Sequence, residues 1–263
     1  MDVEIIKAAL LGIVEGITEF LPISSTGHLI LAGDVLGFTS DTAKTFEVFI
    51  QLGAILAVVW MYRIKISSTF KGLGTEKTNR FLLNLLIAFL PAAFFGLFAH
   101  SFIKRHLFNP VTVAIALITG GIAIFVIERV VKRSVVSDID DVSPKQALSI
   151  GLAQTLSLFP GVSRAGATIM GAMCFGLERK AATEFSFFLA IPTMFAATSY
   201  DLLKNLQNLS ISDVPIFVVG FLVSFFSALI VIKAFLGFVT KYTFDSFAVY
   251  RIIFGTVVLF YYL

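Results

Sequence analysis

The sequence predicts an all-α integral membrane protein with six transmembrane helices and two re-entrant broken-helix hairpins, arranged as an inverted-topology repeat. Three observations point there. Of the 263 residues, 57% are hydrophobic and only 14% charged, where soluble domains carry about a quarter charged. Apolar runs long enough to span a bilayer recur along the chain, and lipid tolerates only helices or closed barrels. A stretch near the N-terminus also returns in the middle of the chain at a fixed offset. The net charge of +3 is accounted for by basic residues at membrane ends and calls for no nucleic acid. Cys174 is the single cysteine, which excludes an internal disulfide. Nothing marks off a soluble domain, so residues 1–263 are expected to form one transmembrane domain.

Taken in order, the elements are these. The opening MDVEIIKAAL lacks a basic n-region, so no cleavable signal peptide is expected. A first helical stretch, 5–21, breaks at Pro22, and a polar patch and a short apolar piece at 29–37 follow. Full-length spans are expected at 46–62, 81–99 and 111–127. A second stretch, 144–159, breaks at Pro160-Gly161 and is followed by a short piece at 168–176. The remaining spans fall at 183–202, 214–236 and 247–263. A helix that enters, breaks and leaves by the same side is a re-entrant hairpin, and its irregular backbone needs protein or a wet cavity around it.

The two broken stretches match each other. GIVEGITEFLPISSTG (12–27) aligns with GLAQTLSLFPGVSRAG (151–166), so that Gly12, Phe20, Ser24 and Gly27 meet Gly151, Phe159, Ser163 and Gly166, and Glu15 meets Gln154. The same offset carries FEVF (46–49) onto FSFF (185–188). Each half, about 1–130 and 140–263, then holds one hairpin and three spans. An odd number of crossings makes the halves opposite in topology. With the loop 63–80 in the cytoplasm, Arg63, Lys65, Lys71, Lys77, Arg80, Arg129, Lys132, Arg133, Lys145, Arg179, Lys180 and Lys241 lie inside. Only Lys7, Lys44, Lys104, Arg105 and Lys204 lie outside, which satisfies the positive-inside rule. The first hairpin then dips in from outside, the second from the cytoplasm, and both termini lie outside.

The tips carry the chemistry. Glu15 and Glu19 share one helix face, and carboxylates at membrane depth are functional by default. Ser24, Ser25, Thr26 and Gly27 are helix-start residues, and the free N–H groups of the helix they open make an anion seat. His28 sits just inside that helix. The opposite tip supplies Ser163, Arg164, Gly166 and Thr168; Arg164 keeps its proton and needs an anion, and its planar fork suits phosphate oxygens. Together these groups specify phosphoryl chemistry: neutralised charge, a nucleophile, and a proton acceptor. Ser25 or His28 could attack phosphorus, with Glu19 as base or orienting His28. Glu15 and Glu19 could instead hold a divalent cation, Mg²⁺ or Ca²⁺, that bridges a diphosphate. The sequence has no HExxH, Cys/His cluster or P-loop. His100 and His106 are read as members of a solvated outside loop, Tyr261 and Tyr262 as interface anchors, and Glu184 as either functional or interfacial.

EGITEFLPISSTGH (15–28) and PGVSRAGAT (160–168) resemble the two signature segments of the bacterial undecaprenyl-diphosphate phosphatase family, also called the bacitracin-resistance protein family. The resemblance extends over essentially the whole chain, including FEVFIQLGAILAVV and EFSFFLAIP. It implies hydrolysis of undecaprenyl diphosphate to the monophosphate and inorganic phosphate at the outer face of the bacterial inner membrane, with a divalent cation. That reaction recycles the lipid carrier for peptidoglycan synthesis and confers bacitracin resistance. The family's glutamate pair carries to Glu15 and Glu19, its hydroxyl–histidine segment to Ser24, Ser25, Thr26 and His28, and its arginine to Arg164 beside Ser163. Ala165 stands where the family usually has Ser. The implied partners are the polyprenyl diphosphate substrate, membrane lipids and a second copy of the chain in a homodimer.

Two other readings stay open on the sequence. Inverted repeats with broken helices also build secondary transporters, so the same site could move a lipid phosphate or an ion. A scaffold role is the third, and it predicts that Glu19→Gln leaves function intact.

Overall fold

The computed structural model describes residues 2–131, 134–205 and 210–263. Lys132 and Arg133, counted above for orientation, lie outside the described residues, as do the side chains of His100, Lys104, Arg105 and His106. The described chain is helical throughout, with a single isolated bridge between Val136 and Leu177 and no strand. Its eleven α-helices are α1 (Asp2–Thr18), α2 (Ser25–Leu36), α3 (Asp41–Met61), α4 (Arg63–Lys71), α5 (Glu76–His106), α6 (Pro110–Val130), α7 (Pro144–Thr155), α8 (Arg164–Cys174), α9 (Arg179–Asn205), α10 (Val214–Val239) and α11 (Asp245–Tyr262). Six of them, α3, α5, α6, α9, α10 and α11, are long and apolar enough to cross a membrane, in the places expected from the apolar runs.

Both breaks have a local cause. A proline lacks the N–H of a helical bond and its ring clashes with the carbonyl four residues back. Pro22 acts on Thr18, and α1 ends at Thr18. Pro160 acts on Leu156, where α7 gives way to a short 3₁₀ turn over Leu156–Leu158. Phe159, just before the proline, is extended at φ −75°, ψ 121°, as the residue before a proline prefers. The broken helices therefore stop three or four residues earlier than the expected 21 and 159. The short helices α2 and α8 begin four residues before the expected 29 and 168, because Ser24 and Ser163 serve as their N-caps.

Packing pairs the elements across the halves. α1 lies along α10, and α7 lies along α5; α3 packs on both α10 and α9, and α6 on α11. The glycines that align in the two halves both permit close approach. A Cβ on Gly12 would come 2.6 Å from the Gly220 carbonyl oxygen of α10, and one on Gly151 would come 2.8 Å from Ala88 Cα of α5. Phe20, between α1 and α2, packs edge-on against Phe187 of α9 with ring centroids 5.3 Å apart. Outward faces stay apolar, as with Leu83, Leu90, Phe94 and Leu97 of α5 and Ile230 of α10, which is the surface a hydrocarbon solvent requires.

The segment 63–80, read from sequence as a loop, contains α4. Its backbone continues α3 through a bend at Tyr62, whose N–H still reaches Val58 O at 2.9 Å while Ile66 N–H reaches Tyr62 O at 2.9 Å. None of its residues is buried. Beside it, Lys65 and Lys77 converge on the Asp140 carboxylate at 2.6 and 3.1 Å, and Arg80 donates to the Asp140 carbonyl at 3.0 Å. This clamp ties α4 and α5 to the turn before α7.

Candidate active site

The two breaks meet inside the helix bundle. Glu19 follows α1 directly, and its N–H still makes the helical bond to Glu15 O at 2.9 Å, so the two carboxylates lie one turn apart. Glu19 is at the centre of the cluster. Its Oε1 accepts from Arg164 Nη2 at 2.9 Å and its Oε2 accepts from Ser25 Oγ at 2.5 Å. One carboxylate thus joins the hydroxyl of the first tip to the guanidinium of the second, and all three side chains are largely buried.

Arg164 is incompletely satisfied. Nη1 makes only long bonds to Ser186 O and Oγ, at 3.3 and 3.4 Å, and the buried Nε has no partner. The guanidinium lies over the Phe20 ring, 5.5 Å from its centroid. Glu15 is fully buried and neither of its carboxylate oxygens has a hydrogen-bond partner; Glu19, Glu47 and Arg164 are its charged neighbours. An unpaired buried carboxylate is costly unless it takes a proton or a positive partner. Among the described residues no group of three or more His, Cys, Asp or Glu forms a metal cage. Glu15, without partners, and Glu19, one turn away, are the residues that could hold a divalent cation.

The helix starts differ in a way that matters. Ser163 caps α8, accepting from Gly166 N–H at 3.0 Å, and its own hydroxyl reaches Leu21 O of the first tip at 3.4 Å. Ser24 makes no side-chain cap to α2, so the amides of Thr26 and Gly27 lie in a first turn that no side chain closes. Both serines hold positive φ, 69° and 77°, and among the described residues they are the only non-glycines that do. Such backbone is strained and persists only where its surroundings enforce it.

Arg251 of α11 enforces it. This side chain, 1% exposed, places all of its bonds on backbone carbonyls. Nη1 donates to Pro22 O and Val162 O at 3.0 and 2.9 Å, Nη2 to Gly161 O and Ala116 O at 3.0 Å each, and Nε to Leu117 O at 3.2 Å. It therefore binds the first tip, the second tip and α6 together. Gly120 makes room: a Cβ there would come 2.7 Å from the guanidinium carbon. Sequence reading passed over Arg251, although a lone arginine within an apolar span is itself a signal of a functional role. Ser186 was passed over as well. It takes the place of Glu47 in the second half and supports Arg164.

Other expected site residues are placed apart from the centre. Thr168 is fully buried, donates to Arg164 O at 2.9 Å and meets Ser186 Oγ at 2.5 Å, so it props the arginine's helix from below. His28 faces α11. Its Nδ1 pairs with Ser24 O at 2.7 Å and its Nε2 with Tyr250 OH at 2.6 Å, and its ring stacks on Phe254 at 4.1 Å. A carbonyl only accepts, so Nδ1 carries the proton. The imidazole makes no hydrogen bond to Ser25, Glu19 or Arg164.

The family model described as Bacitracin resistance protein BacA matches residues 8–257. A protein of Nitrosomonas europaea named undecaprenyl-diphosphatase is 58% identical, over 97% of this chain and 93% of its own length. Proteins of the same name from Methylobacillus flagellatus and Aromatoleum aromaticum are 54% and 53% identical, each over 98% of this chain and over 98% and 95% of their own lengths. With the match running through both tips and five spans and into the sixth, the chain belongs to the bacitracin resistance protein BacA family.

Proposed function

We propose that this chain hydrolyses undecaprenyl diphosphate to undecaprenyl phosphate and inorganic phosphate, with the diphosphate seated between the two tips. The observation that carries this is the Glu19 carboxylate bonded at once to Ser25 Oγ and Arg164, a base, a nucleophile and a phosphate clamp in contact. The names of relatives above 50% identity over nearly the full length support the substrate. A transporter needs a binding seat but not a hydroxyl hydrogen-bonded to a carboxylate.

In this mechanism the terminal phosphoryl oxygens take the unsatisfied donors of Arg164 and the uncapped amides that open α2. Ser25 Oγ attacks the terminal phosphorus as Glu19 accepts its proton; the anhydride P–O bond breaks and the lipid monophosphate leaves. Glu19 passes that proton to the departing lipid monophosphate and then takes one from water, whose oxygen attacks the phosphoserine; the Ser25 O–P bond breaks, Glu19 gives the proton to Ser25 Oγ and inorganic phosphate departs. Glu15 and Glu19 would hold the divalent cation, Mg²⁺ or Ca²⁺, which when bound neutralises diphosphate oxygens. His28, with both nitrogens engaged, keeps α2 seated against α11.

The architecture in this reading is an inverted repeat of two halves, about 1–130 and 140–263, in one transmembrane domain. Its support is the exchange of partners between halves (α1 on α10, α7 on α5), the aligned Gly12 and Gly151, and the paired positive φ at Ser24 and Ser163. The hairpin α1–α2 enters from the outer face of the bacterial inner membrane, and α7–α8 enters from the cytoplasm.

The test is phosphate release from undecaprenyl or farnesyl diphosphate by protein purified in detergent, with Mg²⁺ or Ca²⁺ and no bilayer. Ser25→Ala is expected to abolish turnover while the fold survives. Silence of the wild-type protein in every cation, or full activity of Ser25→Ala, overturns the proposal.

A further inference from the structure

At the far end of α3 from the tips lies a second feature that the phosphatase chemistry does not use. Trp60 is thirteen residues beyond Glu47, about 20 Å along the helix axis. There α4 presents two parallel stripes. Arg63, Ser67 and Lys71 follow one another at i, i+4 and i+8, and Ile66 and Phe70 run beside them, so that all five share one face. The polar stripe lines a shallow cavity of about 530 Å³, together with Val59, Ile66 and Phe70. Those same three apolar residues also line a groove of about 470 Å³ that runs on between α5 and α9, walled by Phe81, Leu85, Phe89, Phe188 and Ile191. A basic mouth thus opens directly into an apolar cleft at membrane depth.

The charges at the mouth are unanswered. Of the five basic residues in 63–80, Lys65, Lys77 and Arg80 are engaged with Asp140 and Asp141. Arg63 and Lys71 have no carboxylate partner among the described residues; Arg63 donates to Trp60 O at 2.9 Å and lies 4.8 Å over the Trp60 ring. No residue of α4 is buried, and Ile64, Phe70 and Leu73 are exposed apolar groups in or just after it. A short helix with exposed apolar and basic residues side by side has the composition of one that lies at a lipid headgroup boundary.

We infer that this is a binding site for an anionic phospholipid, with the phosphate on Arg63, Ser67 and Lys71 and one acyl chain in the groove between α5 and α9. A phosphate accepts from a guanidinium, a hydroxyl and an ammonium together, and the groove offers hydrocarbon contact and almost no polar surface. The site shares no residue with the catalytic tips. It therefore stands or falls independently of the phosphatase reading.

Trp60 is the only tryptophan in the chain, which makes it a built-in reporter. The full-length protein in a neutral detergent is titrated with phosphatidylglycerol or phosphatidylcholine, each brominated on its acyl chains, and Trp60 quenching is followed. The brominated phosphatidylglycerol is expected to quench at lower mole fraction. Arg63→Gln with Lys71→Gln is expected to weaken that preference about 25-fold, from roughly fivefold per basic residue at a membrane surface. The thermal unfolding midpoint in detergent should be unchanged in this variant, which shows that it is folded. Leu85→Phe, which fills the groove and leaves the charges, is expected to reduce quenching by both lipids. Equal quenching by the two lipids, an unchanged preference in the double variant, or equal competition by inorganic phosphate, which would make the seat one for free phosphate, each overturns the proposal.

Discussion

Of the bonds that Arg164 makes to oxygen, only that to Glu19, at 2.9 Å, is short; those to Ser186 are 3.3 and 3.4 Å, and Nε has none. A guanidinium so placed keeps donors for an incoming phosphoryl group, and its plane sets where they point. Arg164→Lys retains the charge and loses the fork. Its kcat is expected to fall by about 10²–10³, the usual cost of one missing oxyanion donor, with little change in Tm, read by phosphate release and thermal unfolding on the same preparation. Arg251 is the opposite case, a guanidinium whose nitrogens all bond to carbonyls and leave nothing for substrate. It is a positioning residue for the two strained serines. Arg251→Lys has three donors for five carbonyls, so at least two lose their bond to the cation, at about 1.5–3 kcal/mol each, and Tm and kcat should fall together. A fall in Tm with kcat untouched would limit Arg251 to a structural role.

At the scale of elements, the clamp on Asp140 makes a prediction with a definite sign. Burial pushes this carboxyl upward, but hydrogen bonds from Lys65 and Lys77 and their charges outweigh it and hold the group below its ordinary value. A lowered folded pKa stabilises the fold above the unfolded pKa, and that stabilisation fades as pH falls below about 3.9, through the lower folded value. Asp140→Asn should therefore lower Tm at pH 7, and the gap to wild type should close on acidification toward pH 3, as thermal unfolding across that range would show. The same elements show what a sequence can and cannot announce. The breaks at Pro22 and Pro160 were legible because proline is a signal local to the chain, but the helices end three or four residues earlier, at Thr18 and Thr155, because proline acts on the residue four before it. The helix α4 was not legible, because RIKISSTFK alternates charge with grease and falls below the length of an apolar run. The partners of Arg251 were not legible either, since the carbonyls it binds lie 89 to 229 positions away and carbonyls have no residue type to read.

For the whole molecule, two strained serine turns come together, and the proposed repeat is chemically unequal around that point. Position for position, Ser25 of the first half meets Arg164 of the second, Glu15 meets Gln154, and Glu47 meets Ser186. One half keeps the acids and the hydroxyl, the other the guanidinium, so Glu19 can bond to both Ser25 and Arg164 across the pseudo-symmetry. In the proposed architecture the tips are threaded from opposite leaflets, and threading can be measured. In a background with Cys174→Ser, single cysteines at the exposed positions Asp2 and Thr39 flank the hairpin α1–α2, and at Lys145 and Glu178 they flank α7–α8. An impermeant maleimide added to intact cells or spheroplasts should label Asp2→Cys and Thr39→Cys, and should reach Lys145→Cys and Glu178→Cys only after the membrane is opened. The decisive feature is the agreement within each pair. If Asp2 and Thr39 label from opposite sides, α1 and α2 together cross the bilayer, the halves no longer contain an odd number of crossings, and two tips arriving from opposite faces could not account for the junction of Glu19, Ser25 and Arg164.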